Sequence, residues 1–172
     1  MLINNFLENS AQKYPDKQAV WYKNEWMTYA QIDASSNKLA NYLKGAGICR
    51  GDRVAVLYEN SFDYIISYFA VFKIGGIAVL LNTETTVRCL IYCLNHSGAK
   101  AIITNKKYSR HLAPAVRKAS DLKEVIIDQE DLSEYAEIGH CNQIHLQDIY
   151  DGEKADHPGV RSIDTDLSLI HI

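Results

Sequence analysis

The chain has 172 residues, of which 47% are hydrophobic and 23% charged, with a formal net charge of −3. These values exclude a disordered chain, and 9 Gly and 3 Pro exclude a collagen-like or linker-dominated one. No basic footprint of a nucleic-acid binder is present. The densest basic stretch, Lys106-Lys107 with Arg110, Arg117 and Lys118, reads as a solvated helix face.

At the start, Met1 to Lys13 has neither a basic beginning nor a long apolar core, so it does not read as a signal peptide. Ile3, Phe6, Leu7, Ala11 and Tyr14 share one helical face, and Pro15 ends that helix. Ala19 to Tyr22 and Trp26 to Thr28 are predicted strands around a short turn at Lys23-Asn24-Glu25. The next helix is well signposted. Thr28 and Gln31 form a capping box, and Met27 and Ile32 are placed as a hydrophobic staple. Ile32, Leu39, Ala40 and Leu43 make its apolar stripe, and Gly45 or Gly47 closes it.

Arg53 to Tyr58 is a nearly continuous apolar run, as in a parallel strand buried on both faces. Ser61 caps a following helix that is apolar over much of its circumference. Tyr64 to Leu81 is about long enough to span a bilayer. Lys73 and Gly75-Gly76 interrupt it, so it reads as a buried helix and then a buried strand, Ile77 to Leu81. A helix over about Thr86 to Asn95 ends near Gly98, and Lys100 to Thr104 is a strand. Tyr108 to Ala119 is a helix in which Pro114 marks a kink or a late start. Glu124 to Asp128 is a strand. Beyond it the pattern weakens, with a short helix over Leu146 to Tyr150 and a polar, irregular stretch from Asp151 to Asp166. This alternation predicts an α/β fold. A mainly parallel sheet is flanked by helices and preceded by an N-terminal helix and β-hairpin.

Chemistry-bearing motifs are sparse. Neither Gly-x-Gly-x-x-Gly, nor Gly-x-x-x-x-Gly-Lys-[Ser/Thr], nor Gly-x-Ser-x-Gly occurs. Gly75-Gly76 follows a predicted helix and opens a strand, the reverse of a phosphate loop. The four cysteines, at 49, 89, 93 and 141, include no Cys-x-x-Cys pair, and free thiols of a reducing, cytoplasmic compartment explain them. Cys89 and Cys93 lie one helical turn apart, too few for a closed metal site. His140, Cys141 and His145 lack a second ligand pair, and Asp128, Glu130 and Asp131 read as a solvated loop. No catalytic, cofactor-binding or metal-binding residue is therefore assigned. For an unrelated flavodoxin-like domain, Asn60-Ser61 and Asn82-Thr83 are the only candidate ligand loops.

A series of segments carries a resemblance. They are Phe6 to Ala11 with Tyr14-Pro15-Asp16-Lys17, Met27 to Ile32, Ser36 to Ala40, and Gly47-Ile48 with Gly51 to Ala55. Glu59-Asn60-Ser61, Phe72 to Gly76, Leu81-Asn82 and Asn95 to Lys100 follow. In order and spacing they resemble the N-terminal part of the adenylate-forming enzymes: acyl-CoA synthetases, adenylation domains of nonribosomal peptide synthetases, and luciferases. Gln31 and Ile32 replace the acid and leucine of the family's Thr-Tyr-x-Glu-Leu block. Ile74 replaces the alanine of its Lys-Ala-Gly-Gly block, and Leu80 stands where proline is common.

The resemblance implies a two-step, ATP-dependent ligase. A carboxylate attacks the α-phosphate of Mg-ATP, and a thiol, usually coenzyme A, then takes the acyl group. ATP, Mg2+ and coenzyme A are thus implied for a full-length parent, with a small carboxylic acid as substrate. The family's phosphate loop and later motifs are not in this chain, so it is expected to be inactive alone, to bind no cofactor, and to have the remainder of its own chain as partner. No nucleic acid and no integral membrane segment are expected. Residues 1–166 read as a partial AMP-binding (adenylation) domain. Leu167 to Ile172 resembles the translation of a transposase-type sequencing adapter and reads as a non-native tail. Met1, just before the first matching helix, favours a stand-alone acyl-CoA synthetase over a peptide-synthetase module. A naturally truncated, non-catalytic paralogue serving as a binding module is the alternative.

Overall fold

A computed structural model describes residues 3–128, 140–160 and 169–171. In chain order the elements are α1 (Ile3–Lys13), β1 (Gln18–Tyr22), β2 (Glu25–Thr28), α2 (Tyr29–Gly45), β3 (Arg53–Leu57), α3 (Phe62–Lys73), β4 (Ile77–Leu80) and α4 (Val87–Ser97). Then come β5 (Ala101–Asn105), a 3₁₀ turn (Lys106–Tyr108), α5 (Ser109–Val116), β6 (Glu124–Asp128), β7 (Asn142–His145), α6 (Leu146–Gly152) and β8 (Leu169–His171).

β1 and β2 form an antiparallel hairpin whose tip residues Lys23 and Asn24 both take positive φ. The other strands form one six-stranded sheet, ordered β7-β6-β5-β3-β4-β8, with every pair parallel. The expected parallel α/β architecture is therefore what the chain adopts. Residues 140 and 141 precede β7, while 129–139, 161–168 and 172, which include Glu130 and Asp131, lie outside the described residues.

Alternation along the strands sorts the core. Val54, Val56, Ala78, Ala101, Ile103 and Ile126 pack with α1, α2, α3 and α6. Their neighbours Ala55, Leu57, Val79, Ile102, Val125 and Ile127 pack with α4 and α5 on the opposite face. Successive strand side chains point to opposite faces, so a strand buried on both must be apolar throughout. That is why β3 to β6 read as continuous apolar runs.

The helix signals operate as the sequence predicts. The Thr28 hydroxyl accepts from the Gln31 N–H at 3.3 Å and the Gln31 side chain accepts from the Thr28 N–H at 2.8 Å. Leu39, Ala40 and Leu43 are fully buried, each leucine contributing about 2–3 kcal/mol by removal from water. Helix α2 ends at Gly45 with Ala46 as its C-cap, and Gly47 takes the left-handed conformation. The Tyr64–Leu81 stretch divides into α3 and β4, and among the described residues no helix is long and apolar enough to cross a membrane. Lys73, fully buried at the end of α3, is held by Asp33 at 2.9 Å and Glu8 at 3.3 Å.

Two readings need correction. Helix α5 begins at Ser109 with Pro114 inside it, so Pro114 does not mark a late start. Strand β7 carries no apolar run, because it is a half-exposed outer strand. The polar stretch after α6 is irregular, as expected, and is tied to α2. Asn37, Asn41 and Lys44 donate to the carbonyls of Ala155, Lys154, Asp156 and Pro158.

Candidate functional site

The strand order creates a switch point. From β3 the chain crosses by α3 on one face to reach β4, then by α4 on the other face to reach β5 on the far side of β3. In open α/β sheets ligands bind in the crevice outside the carboxyl ends of the strands where this reversal occurs. Here a crevice of about 340 Å³ lies at that position. Tyr58, Glu59, Ser61 and Asp63 line it after β3, with Asn105, Lys106 and Lys107 after β5, Asp128 at the end of β6, and Tyr22 and Lys23 from the hairpin.

Local hydrogen bonds set its walls. Thr104 Oγ1 donates to the Leu57 carbonyl at 2.8 Å, locking the ends of β5 and β3. Asn105 Nδ2 donates to Glu59 at 3.2 Å, while its Oδ1 accepts from the Lys107 N–H at 3.1 Å. The Lys107 ammonium beside Glu59 holds that carboxyl below the usual range. Ser61 Oγ caps α3 by accepting from the Tyr64 N–H at 3.2 Å. Lys23 lies over the Tyr22 ring, 5.1 Å from its centroid.

The base of the crevice is electrostatically unbalanced. Burial raises the Asp63 carboxyl and the charge of Asp128 adds to this, while a hydrogen bond from the Tyr150 hydroxyl at 3.1 Å opposes it. The Tyr58 ring is 4% exposed, and its hydroxyl has no hydrogen-bond partner among the described residues. Burial, with the charges of Asp63, Asp128 and Glu59, raises that phenol far above its ordinary value, so it is a neutral donor or acceptor. The arrangement can hold a small polar group by hydrogen bonds and opposite charges. Among the described residues it offers no nucleophile paired with a base.

The sequence candidates are scattered. Asn60-Ser61 does lie at the switch point, but Asn82-Thr83 follows β4, where Asn82 Oδ1 accepts from the Glu84 N–H at 2.9 Å. Gly75-Gly76 follows α3 and opens β4, away from a phosphate-loop geometry. Cys141 immediately precedes β7 and His145 ends it, so the two stand roughly 13 Å apart at about 3.3 Å per residue. Cys141 donates to the Leu122 carbonyl at 3.1 Å, and His145 lies 3.6 Å from Asp128. Among the described residues no group of three or more His, Cys, Asp or Glu is placed to hold a metal ion. Lys106, Lys107, Arg110, Arg117 and Lys118 are exposed, as expected, although Lys107 also pairs with Glu59. Tyr58, Glu59, Asp63, Asn105 and Asp128 had no sequence signal as a set, because strand order alone brings them together.

Comparison with known proteins gives a consistent result. The family model described as "AMP-binding enzyme" matches residues 7–162. The chain is 33% identical over 134 residues to nonribosomal peptide synthetase sidE of Aspergillus fumigatus, covering 77% of this chain and 6% of that protein. It is 36% identical over 114 residues to a long-chain-fatty-acid–CoA ligase of Salmonella typhimurium, covering 66% of this chain and 20% of the ligase. Coronafacic acid ligase from Pectobacterium brasiliense shares the fold, with a TM-score of 0.89 at 20% identity over 99% of this chain and 33% of that one. The chain thus spans a fifth or less of the length of these two curated relatives.

Proposed function

The chain belongs to the AMP-binding enzyme family, and we propose that it forms the N-terminal scaffold of an ATP-dependent carboxylic acid–CoA ligase. The observation that carries this reading is the match over 7–162 on a parallel sheet that contains no phosphate-loop motif. The whole protein would join an acid to the α-phosphate of ATP and then transfer the acyl group to coenzyme A. Mg2+ and fixed donors neutralise developing charge in such a displacement. In this reading those donors belong to sequence outside these 172 residues.

The resemblance to a long-chain-fatty-acid–CoA ligase favours an acyl-CoA synthetase, for which we propose a cytoplasmic location and a small carboxylic acid as substrate. The resemblance to sidE supports the second reading, an adenylation domain of a peptide synthetase. Residues 1–166 belong to the large domain in this proposal, and 167–172 are a foreign tail. The pairing of 169–171 with β4 uses main-chain bonds that any short extended segment can make.

ATP–pyrophosphate exchange tests the proposal. The purified chain, supplied with Mg-ATP and a panel of fatty, aryl and amino acids, is expected to show no acid-dependent exchange. Exchange above background with any acid would place the catalytic machinery within these residues and overturn the scaffold reading.

A further inference from the structure

Helix α4 carries two thiols that the sheet and the switch-point crevice do not use. Cys89 is exposed in its first turn, and Cys93, one turn on, is 4% exposed against the core of the α4/α5 face. Their sulfurs stand 4.0 Å apart. Cys89 is the third helical residue, and its N–H is capped by the Thr86 hydroxyl.

The spacing separates two kinds of thiol chemistry. A direct disulfide needs sulfurs about 2.0 Å apart and Cβ atoms about 3.5–4.5 Å apart. Residues one helical turn apart hold their Cβ atoms at about 5–6 Å, so that bond would break the first turn of α4. A bridge through one metal ion makes no such demand. With metal–sulfur bonds of about 2.3 Å and a tetrahedral angle, two thiolates sit about 3.8 Å apart. The observed distance matches this without movement of the backbone.

We propose that Cys89 and Cys93 form a two-thiolate clamp for a soft d10 metal ion. Two protein ligands leave the remaining positions to water or an external donor, which makes the clamp a loading or exchange site. It does not hold the fold, since Leu90 and Leu94 beside it are buried without help from a metal. Soft thiolates select such ions over magnesium or calcium. The inference is independent of the ligase reading.

Cadmium titration of the full chain, carrying Cys49→Ser and Cys141→Ser to remove the other thiols, tests the clamp. The expected result is a sulfur-to-cadmium charge-transfer absorption that saturates at one ion per chain and is lost in both Cys89→Ser and Cys93→Ser. Undiminished absorption in either single variant, or none in the two-thiol parent, would overturn the proposal. In the wild-type chain, cadmium is expected to slow iodoacetamide labelling of Cys89 and leave exposed Cys49 unaffected. Equal slowing of both, or of neither, would also overturn it. The alkylation readout does not depend on how well the serine variants fold.

Discussion

Both edges of the sheet carry paired polar groups, and they differ in how completely their buried ones are paired. At the amino-terminal edge, polar groups meet partners. Arg53 donates to the Ser97 carbonyl at 2.7 Å and the Gly98 carbonyl at 2.9 Å, closing the end of α4. Asp52 accepts from the Cys49 N–H at 2.8 Å and from Lys100 at 2.6 Å. Buried Glu124 accepts from the Tyr42 hydroxyl at 2.8 Å and from Asn142 at 3.0 Å. At the carboxyl-terminal edge, Tyr58 keeps a buried hydroxyl without a partner among the described residues, and Asp63 is raised by burial. One edge is stitched for stability. The other leaves a buried hydroxyl unpaired among the described residues and holds a carboxyl that burial raises.

The largest test of the stitched edge is Gly98→Val. Gly98 has φ of 60°, and a Cβ there would stand 2.7 Å from Arg53 Nη2. A β-branched residue must both adopt the left-handed conformation and displace the guanidinium from its two carbonyls. The expected loss is about 3 kcal/mol in denaturant unfolding. A loss below about 1 kcal/mol would show that Arg53 does not hold this corner.

A matched pair of tyrosines sharpens the contrast at smaller scale. Tyr42→Phe removes a donor from buried Glu124 and should cost about 1–2 kcal/mol. Tyr58→Phe removes a hydroxyl that pays desolvation with nothing in return, and should stabilise the chain by up to about 1 kcal/mol. Parallel unfolding curves decide the matter. If both variants lose stability alike, Tyr58 has a partner and the edges are not different in kind.

Legibility followed the same division. The stitched edge and the inner strands were readable because local chemistry specifies them. Apolar runs marked β3 to β6, Thr28 and Gln31 marked the start of α2, and Gly98 marked the end of α4. Strand β7 was not readable, since Asn142-Gln143-Ile144-His145 is a polar outer strand that needs only one apolar contact face. The crevice was not readable either. Glu59 and Asn105 are 46 positions apart, and only the placement of β5 beside β3 makes them neighbours. The hold of Asn37 and Asn41 on the stretch after α6 was hidden for the same reason, because it depends on packing across more than 100 residues.

The smallest expected effect is a difference of sign with pH. Burial opposes ionisation of Asp52, but hydrogen bonds from Lys100 and the Cys49 N–H, with the charges of Lys100 and Arg53, hold its carboxyl below the usual range. A carboxyl lowered by folding stabilises the protein above the unfolded value, about pH 3.9, and that contribution is lost as pH falls through the folded one. Asp52→Asn should therefore cost up to about 1 kcal/mol at pH 7, a cost that shrinks in acid. Asp63 is raised, so its contribution is present below about pH 3.9 and lost as pH rises through the folded value. Asp63→Asn, which keeps an oxygen to accept from Tyr150, should therefore gain on the wild type as pH rises from 3 to 7. Unfolding free energies of the three chains across that range should give difference curves of opposite slope. Curves that run together would mean that Asp63 is as well compensated as Asp52, and the carboxyl-terminal edge would then carry no electrostatic vacancy for a ligand to fill.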